Sequence, residues 1–133
     1  MENNWLHKTL ESLERIEWKH FDSDSRLIRR TKELRKIPLD TFTTEDLRIM
    51  IGEQIGLDYL IPLAIEVLKK DLFVGGDFFE GDLLKNVLAI KTEFWNSNKA
   101  HWLALNHLIK DSVYQIREKK FDTSNFYKAQ HSQ

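Results

Sequence analysis

The residues able to carry chemistry are few in kind: five histidines, twenty-one carboxylates and no cysteine. Without a thiol the chain can form no disulfide and offers no sulfur nucleophile, which fits a reducing compartment. His7, His20, His101, His107 and His131 are dispersed, with no HExxH and no two histidines three or four apart. A zinc or iron site would need convergence of distant segments, so no metal and no cofactor is expected. His7 with Glu11 and His107 with Asp111 stand four residues apart, the spacing of surface ion pairs on one helical face. No GxSxG and no P-loop is present. No residue announces catalysis, and the expected class is not an enzyme.

One stretch raises the question of a bound ion. Residues 75–82 read GGDFFEGD, three of the chain's five glycines among three carboxylates. A calcium loop needs oxygen ligands at alternating positions, and Phe78 and Phe79 stand in those places. A phosphate loop fails too, because Asp77, Glu80 and Asp82 would repel the anion and no lysine follows the glycine. The structural reading is stronger. Gly75 and Gly76 would supply positive φ after a helix, Gly81 a second turn, and Asp82 a cap for a helix beginning at Leu83. The two phenylalanines would be plugs, one packed inward and one exposed.

A second candidate is RLIRRTKELRK, residues 26–36, with six Lys/Arg against one Glu. It could lie along a phosphate backbone. Domains built for phosphate are generally strongly basic, whereas this chain has a pI near 6.5 and no helix-turn-helix signature after the run. A small nucleic-acid-binding regulator using this helix is the alternative function; direct nucleic-acid binding is not the expected one.

The elements that must position these residues read as helical. Leu6, Leu10, Leu13 and Ile16 fall on one face of a first helix, and Leu27, Thr31 and Leu34 on one face of a second, which Ile37-Pro38 should end. Thr43 and Asp46 stand at capping-box spacing and predict a third helix, stopping near Gly56. The segment LDYLIPLAIEVLKK is apolar on most of its circumference and predicts a central buried helix, capped by Asp58, with Pro62 at the end of its first turn. A short helix over Leu83 to Ala89 follows, then a turn at KTEFW. Trp102, Leu105, Ile109, Val113 and Ile116 share one face of a last long helix. The expected fold is all-α, a compact single-domain bundle of six to seven helices over residues 1–120 with a glycine-rich loop before a short helix. The polar tail 121–133 is expected to fray.

Bulk numbers agree. A chain of 133 residues with 41% hydrophobic and 31% charged content can bury one core without staples. The first twenty residues carry charges throughout and lack a signal-peptide core, and the longest apolar stretch is too short to cross a bilayer. A cytoplasmic protein without membrane contact is expected. The net charge of −1 is unevenly spread: residues 1–36 hold nine Lys/Arg and seven Asp/Glu, residues 37–82 three and ten, and residues 83–133 eight and four. The middle third is acidic, a field that steers basic partners and repels nucleic acid.

In that third, PLDTFTTEDLRIMIGEQIGLDYLIPLAIEVL followed by GGDFFEGDLLKNVL resembles the immunity proteins of bacterial contact-dependent growth inhibition (CDI) systems. Their pattern runs close to TxEDLRxMIGQxIGLxYLIPLAxxxL, then GDFYxGDLLxxVL. The likeness covers about residues 38 to 95, with Glu53 where glutamine is usual and Phe79 where tyrosine is common. It implies a cytoplasmic, non-catalytic protein that binds and blocks the C-terminal toxin domain delivered by a neighbouring cell, frequently a nuclease. Under that reading the exposed acidic positions Asp58, Glu66, Asp71 and Glu80, chosen on charge density, are the expected toxin-binding residues, with Phe79 as an apolar anchor. Arg48, the one basic residue between Lys36 and Lys69, is expected to pair with Asp77 or Asp82 and tie the loop around Gly81 to the third helix.

Overall fold

The computed structural model describes residues 4–15 and 25–129. Among these residues the fold is all-α. Nine helices appear in the order α1 Leu10–Glu14, α2 Arg26–Leu34, α3 Thr44–Gly52, α4 Leu57–Lys70, α5 Asp82–Leu88, α6 Thr92–Asn96, α7 Lys99–Asp111, α8 Val113–Glu118 and α9 Ser124–Tyr127. Two 3-10 turns, Asn4–His7 and Leu39–Thr41, precede α1 and α3. The expected six to seven helices undercount them because several are only one or two turns long.

The capping box forms as the spacing predicts. The Asp46 N–H donates to Thr43 Oγ1 at 3.1 Å and the Thr43 N–H donates to Asp46 Oδ2 at 3.0 Å, so two donors with no intrahelical partner are satisfied at once. α3 ends at Gly52, earlier than expected, and Gly56 instead precedes α4 as its N-cap with φ 67°. Asp58 therefore does not cap α4. It lies in the first turn, and Pro62 falls in the second, where it removes one helical hydrogen bond without interrupting the helix.

α4 is the centre of the core, burying Leu57, Leu60, Ile61, Ala64, Ile65 and Leu68 against α3 on one side and α7 on the other. α3 is in turn flanked by α2 and α5. In the amino-terminal part the predicted continuous face is broken: Leu6 belongs to a 3-10 turn, α1 spans five residues and ends at Arg15 with φ 56°, and Ile16 lies outside the described residues. In α2, Thr31 and Leu34 are buried as the pattern requires, but Leu27 is exposed.

The carboxyl-terminal part differs more. The long last helix divides at Ser112 into α7 and α8, which keeps Ile109 and Ile116 buried and leaves Val113 exposed. The expected fraying after Phe121 is corrected for residues 121–129. Phe126 on α9 is fully buried, stacks on Trp102 at 5.2 Å and meets Trp95 edge-on at 4.9 Å. Its carbonyl accepts the Trp102 indole N–H at 3.0 Å. Among the described residues no helix is long and apolar enough to cross a membrane.

Candidate functional site

The loop between α4 and α5 is built on two carboxylates. Asp82, the first residue of α5, is 3% exposed and accepts the backbone N–H groups of Gly76 at 2.6 Å, Phe78 at 3.0 Å and Phe79 at 3.3 Å. Glu45 on α3 accepts the N–H of Asp77 at 2.8 Å. Four consecutive N–H groups thus point at two side-chain carboxylates. Asp82 was expected to cap α5; Gly81 is the N-cap, and the Asp82 side chain turns back to hold the loop instead.

Arg48 stands one helical turn after Glu45. Its Nε donates to Glu45 Oε1 at 2.6 Å and its Nη2 donates to the other Glu45 oxygen, while Nε lies 3.7 Å from Asp82 Oδ2. The cation therefore bridges both loop-holding carboxylates, with Glu45, which the sequence reading did not name, as its closest partner. Asp77 is exposed and contributes its backbone to the loop. The Arg48 carbonyl accepts the Asn86 side-chain N–H at 2.9 Å, a second tie between α3 and α5.

The electrostatics follow from this geometry. The hydrogen bonds from Arg48 hold the Glu45 carboxyl below its ordinary range, against the opposing effect of burial, with help from the Asp77 N–H. Burial pushes the Asp82 carboxyl up, but the N–H groups of Gly76, Phe78 and Phe79 and the charge of Arg48 outweigh it and leave it depressed. Arg48 is correspondingly raised, chiefly by its bonds to Glu45. Both carboxylates are ionised at neutral pH.

Two glycines make the approach possible, though not as expected. Gly75 and Gly76 do not adopt positive φ. A Cβ at Gly76 would stand 2.5 Å from Glu45 Oε1, so any side chain here would have to displace the carboxylate that holds the loop. Gly81 does need the left-handed region, with φ 89°, and a Cβ there would also meet the Phe121 ring at 2.6 Å.

The N–H cradle that an external phosphate would need is already filled by the chain's own carboxylates, and those carboxylates face a guanidinium rather than a cation site. Among the described residues no group of three or more His, Cys, Asp or Glu is placed to hold a metal ion. What the loop presents outward is aromatic. Phe78 is 72% exposed, with the Arg48 guanidinium 4.0 Å from its ring centroid, and Phe79 is 48% exposed, near Lys85. Neither plugs the core, which corrects the expectation that one would pack inward. Leu72 performs that task from the start of the loop.

The five expected toxin-binding residues are all exposed, but they do not form one cluster. Asp58 and Glu66 line a depression between α4 and α7 with Tyr59, Pro62 and His101. Burial lowers the His101 pKa and Asp58 opposes that shift. Phe79 and Glu80 line another depression, with Lys85, Lys119 and Phe121. Glu66 pairs with Lys69 at 2.9 Å and Glu80 with Lys119 at 3.2 Å. Asp71 lines neither. His107 meets Asp111 at 3.3 Å, but His7 pairs with Asp40 at 2.8 Å rather than with Glu11.

The basic run is partly directed inward. Arg30 donates to Asp46 at 2.9 Å and Glu33 at 3.1 Å, and the buried Arg35 donates to Glu14.

No curated protein and no solved structure matches the chain. Residues 12–105 match the sequence family of CDI immunity proteins, a span that contains α2 to α6 and the whole of the carboxylate-held loop. With most of its length matched, the chain belongs to the CDI immunity proteins.

Proposed function

We propose that this protein binds the toxin domain of its own contact-dependent growth inhibition system in the cytoplasm and neutralises it without catalysis, and that the toxin is a nuclease. Family membership is the observation that carries the reading. The charge pattern supports it: of the ten carboxylates in residues 37–82, Asp40, Glu53, Asp58, Glu66, Asp71, Asp77 and Glu80 are exposed. A nuclease must present a basic cleft to phosphate, and an acidic surface associates with such a cleft quickly because long-range attraction raises the encounter rate. Binding nucleic acid directly through residues 26–36 is less well supported, since Arg30 and Arg35 have carboxylate partners within the protein.

The test is co-purification with the C-terminal domain of the exoprotein encoded next to this gene, followed by a nuclease assay. The expected result is an equimolar complex in which one equivalent abolishes cleavage and expression protects cells producing the toxin. Recovery of RNA or DNA without that polypeptide would overturn the reading in favour of a nucleic-acid-binding regulator.

A further inference from the structure

We infer that Phe78 is the central apolar anchor of the toxin interface, presented by a loop already rigid in the free protein, and that it enters an apolar socket edged by a lysine or arginine of the toxin. The inference rests on the proposed immunity function and names the contact through which it acts.

The first observation is an exposed ring on a hydrogen-bonded backbone. A phenylalanine 72% exposed to water gains little for folding from burial of its ring, its one such contact being with the Arg48 guanidinium. Yet the N–H groups of residues 76, 77, 78 and 79 are all held by Asp82 and Glu45, and Gly81 donates to the Val74 carbonyl across the base of the loop at 3.3 Å. A buried carboxylate and a guanidinium bridge are costly groups to place beneath a loop that only connects two helices. Their effect is to fix the backbone on both sides of Phe78. Anchors of this kind bind well because little conformational freedom remains to be lost on association.

The second observation is the polarity around the ring. One face of Phe78 lies against Arg48, whose charge is already engaged by Glu45 and Asp82. Asp77 and Glu80 beside it are exposed, and residues 71–82 contain four carboxylates and no lysine or arginine. An uncharged socket alone would bury Asp77 without a cation and Glu80 with only Lys119 as its partner. A socket rimmed by a cation pairs them and can stack on the open face of the ring. Tyr114, 80% exposed on α8, has a different setting: it lies within a helix, with Arg117 and Glu118 one turn on, and not in a run of carboxylates without Lys or Arg.

The experiment measures affinity of the adjacent exoprotein's C-terminal domain for wild type, Phe78→Ala, Phe78→Leu and Tyr114→Ala. Because Phe78 is exposed and loses only its contact with Arg48, Phe78→Ala should stay folded with at most a slightly lower melting temperature, and bind at least about 30-fold more weakly, mostly through faster dissociation. Phe78→Leu should retain an intermediate affinity, and Tyr114→Ala should bind as wild type. Equal binding by folded Phe78→Ala would overturn the anchor while leaving the immunity function standing. A larger loss in Tyr114→Ala than in Phe78→Ala would also overturn it. Failure of the wild type to bind would overturn both.

Discussion

At the scale of single residues, Arg48 shows how a charge can be committed to structure inside a surface otherwise suited to binding. It is 13% exposed, Asp82 is 3% exposed, and among the described residues no other cation lies within 4 Å of either Glu45 or Asp82. Arg48→Ala should lower unfolding free energy by about 2–4 kcal/mol, because it leaves two part-buried carboxylates facing each other without their counter-ion. Arg48→Lys should fall between, since an ammonium restores charge but not the two-pronged contact with Glu45. Urea denaturation checks both, and an unchanged midpoint for the alanine variant would exclude the bridge as a stabilising element. Gly81→Ala should cost about 1–3 kcal/mol for the backbone conformation alone, before the clash with Phe121. From the sequence, Asp77 and Asp82 stood out as partners for Arg48 because the Gly-Asp steps are conspicuous. Glu45 was hidden: a Glu three residues before an Arg is an ordinary helical pair, and nothing local reveals that a loop more than thirty residues later donates to the same oxygen.

At the scale of elements, the joint between α3, α5 and the loop should be sensitive to acid. Glu45 and Asp82 both have folded pKa values below their unfolded ones, so in the acid range the unfolded chain binds more protons. Their contribution is complete above the unfolded value of about 4 and is lost as pH falls through the lower folded values. Melting temperature should drop as pH falls below about 4, and Asp82→Asn should show a shallower drop over that range from a lower starting point. Parallel curves for the two proteins would mean that other carboxylates govern the acid response. The cap of α3 and the buried face of α4 were legible because they depend on neighbours a few residues apart: Thr43 with Asp46, and the apolar positions from Leu57 to Leu68. The caps expected from Asp58 and Asp82 were not, because Gly56 and Gly81 take those places. The carboxyl-terminal end was not. SNFY has no helical period long enough to read, and it becomes a helix because Phe126 fills the space between Trp95 and Trp102. Removing residues 124–133 should therefore shift tryptophan fluorescence to the red and lower the melting temperature. A frayed tail would leave both unchanged.

At the scale of the whole molecule, the acidic middle third splits into carboxylates that serve the fold and carboxylates that remain open to a partner. Asp46 is taken up by Arg30 and the cap of α3, and Glu45 and Asp82 by Arg48 and the loop. The open ones occupy separate places, Asp58 and Glu66 beside the depression between α4 and α7, Asp77 and Glu80 beside Phe78. Paired reversals distinguish them. Asp77→Lys with Glu80→Lys should slow association with the toxin domain by about tenfold or more at low salt and flatten the dependence of the on-rate on ionic strength. Asp58→Lys with Glu66→Lys should have a smaller effect, because charges farther from the contact than a Debye length of about 8 Å at 0.15 M salt are largely screened. Folding should survive both. The Glu66–Lys69 and Glu80–Lys119 pairs are solvent-exposed, and such pairs contribute little to stability. Stopped-flow association at two salt concentrations reads the difference directly. A greater loss from the pair at Asp58 and Glu66 would move the interface to the face formed by α4 and α7, and with it the socket would have to receive Tyr59 or Trp5 rather than Phe78.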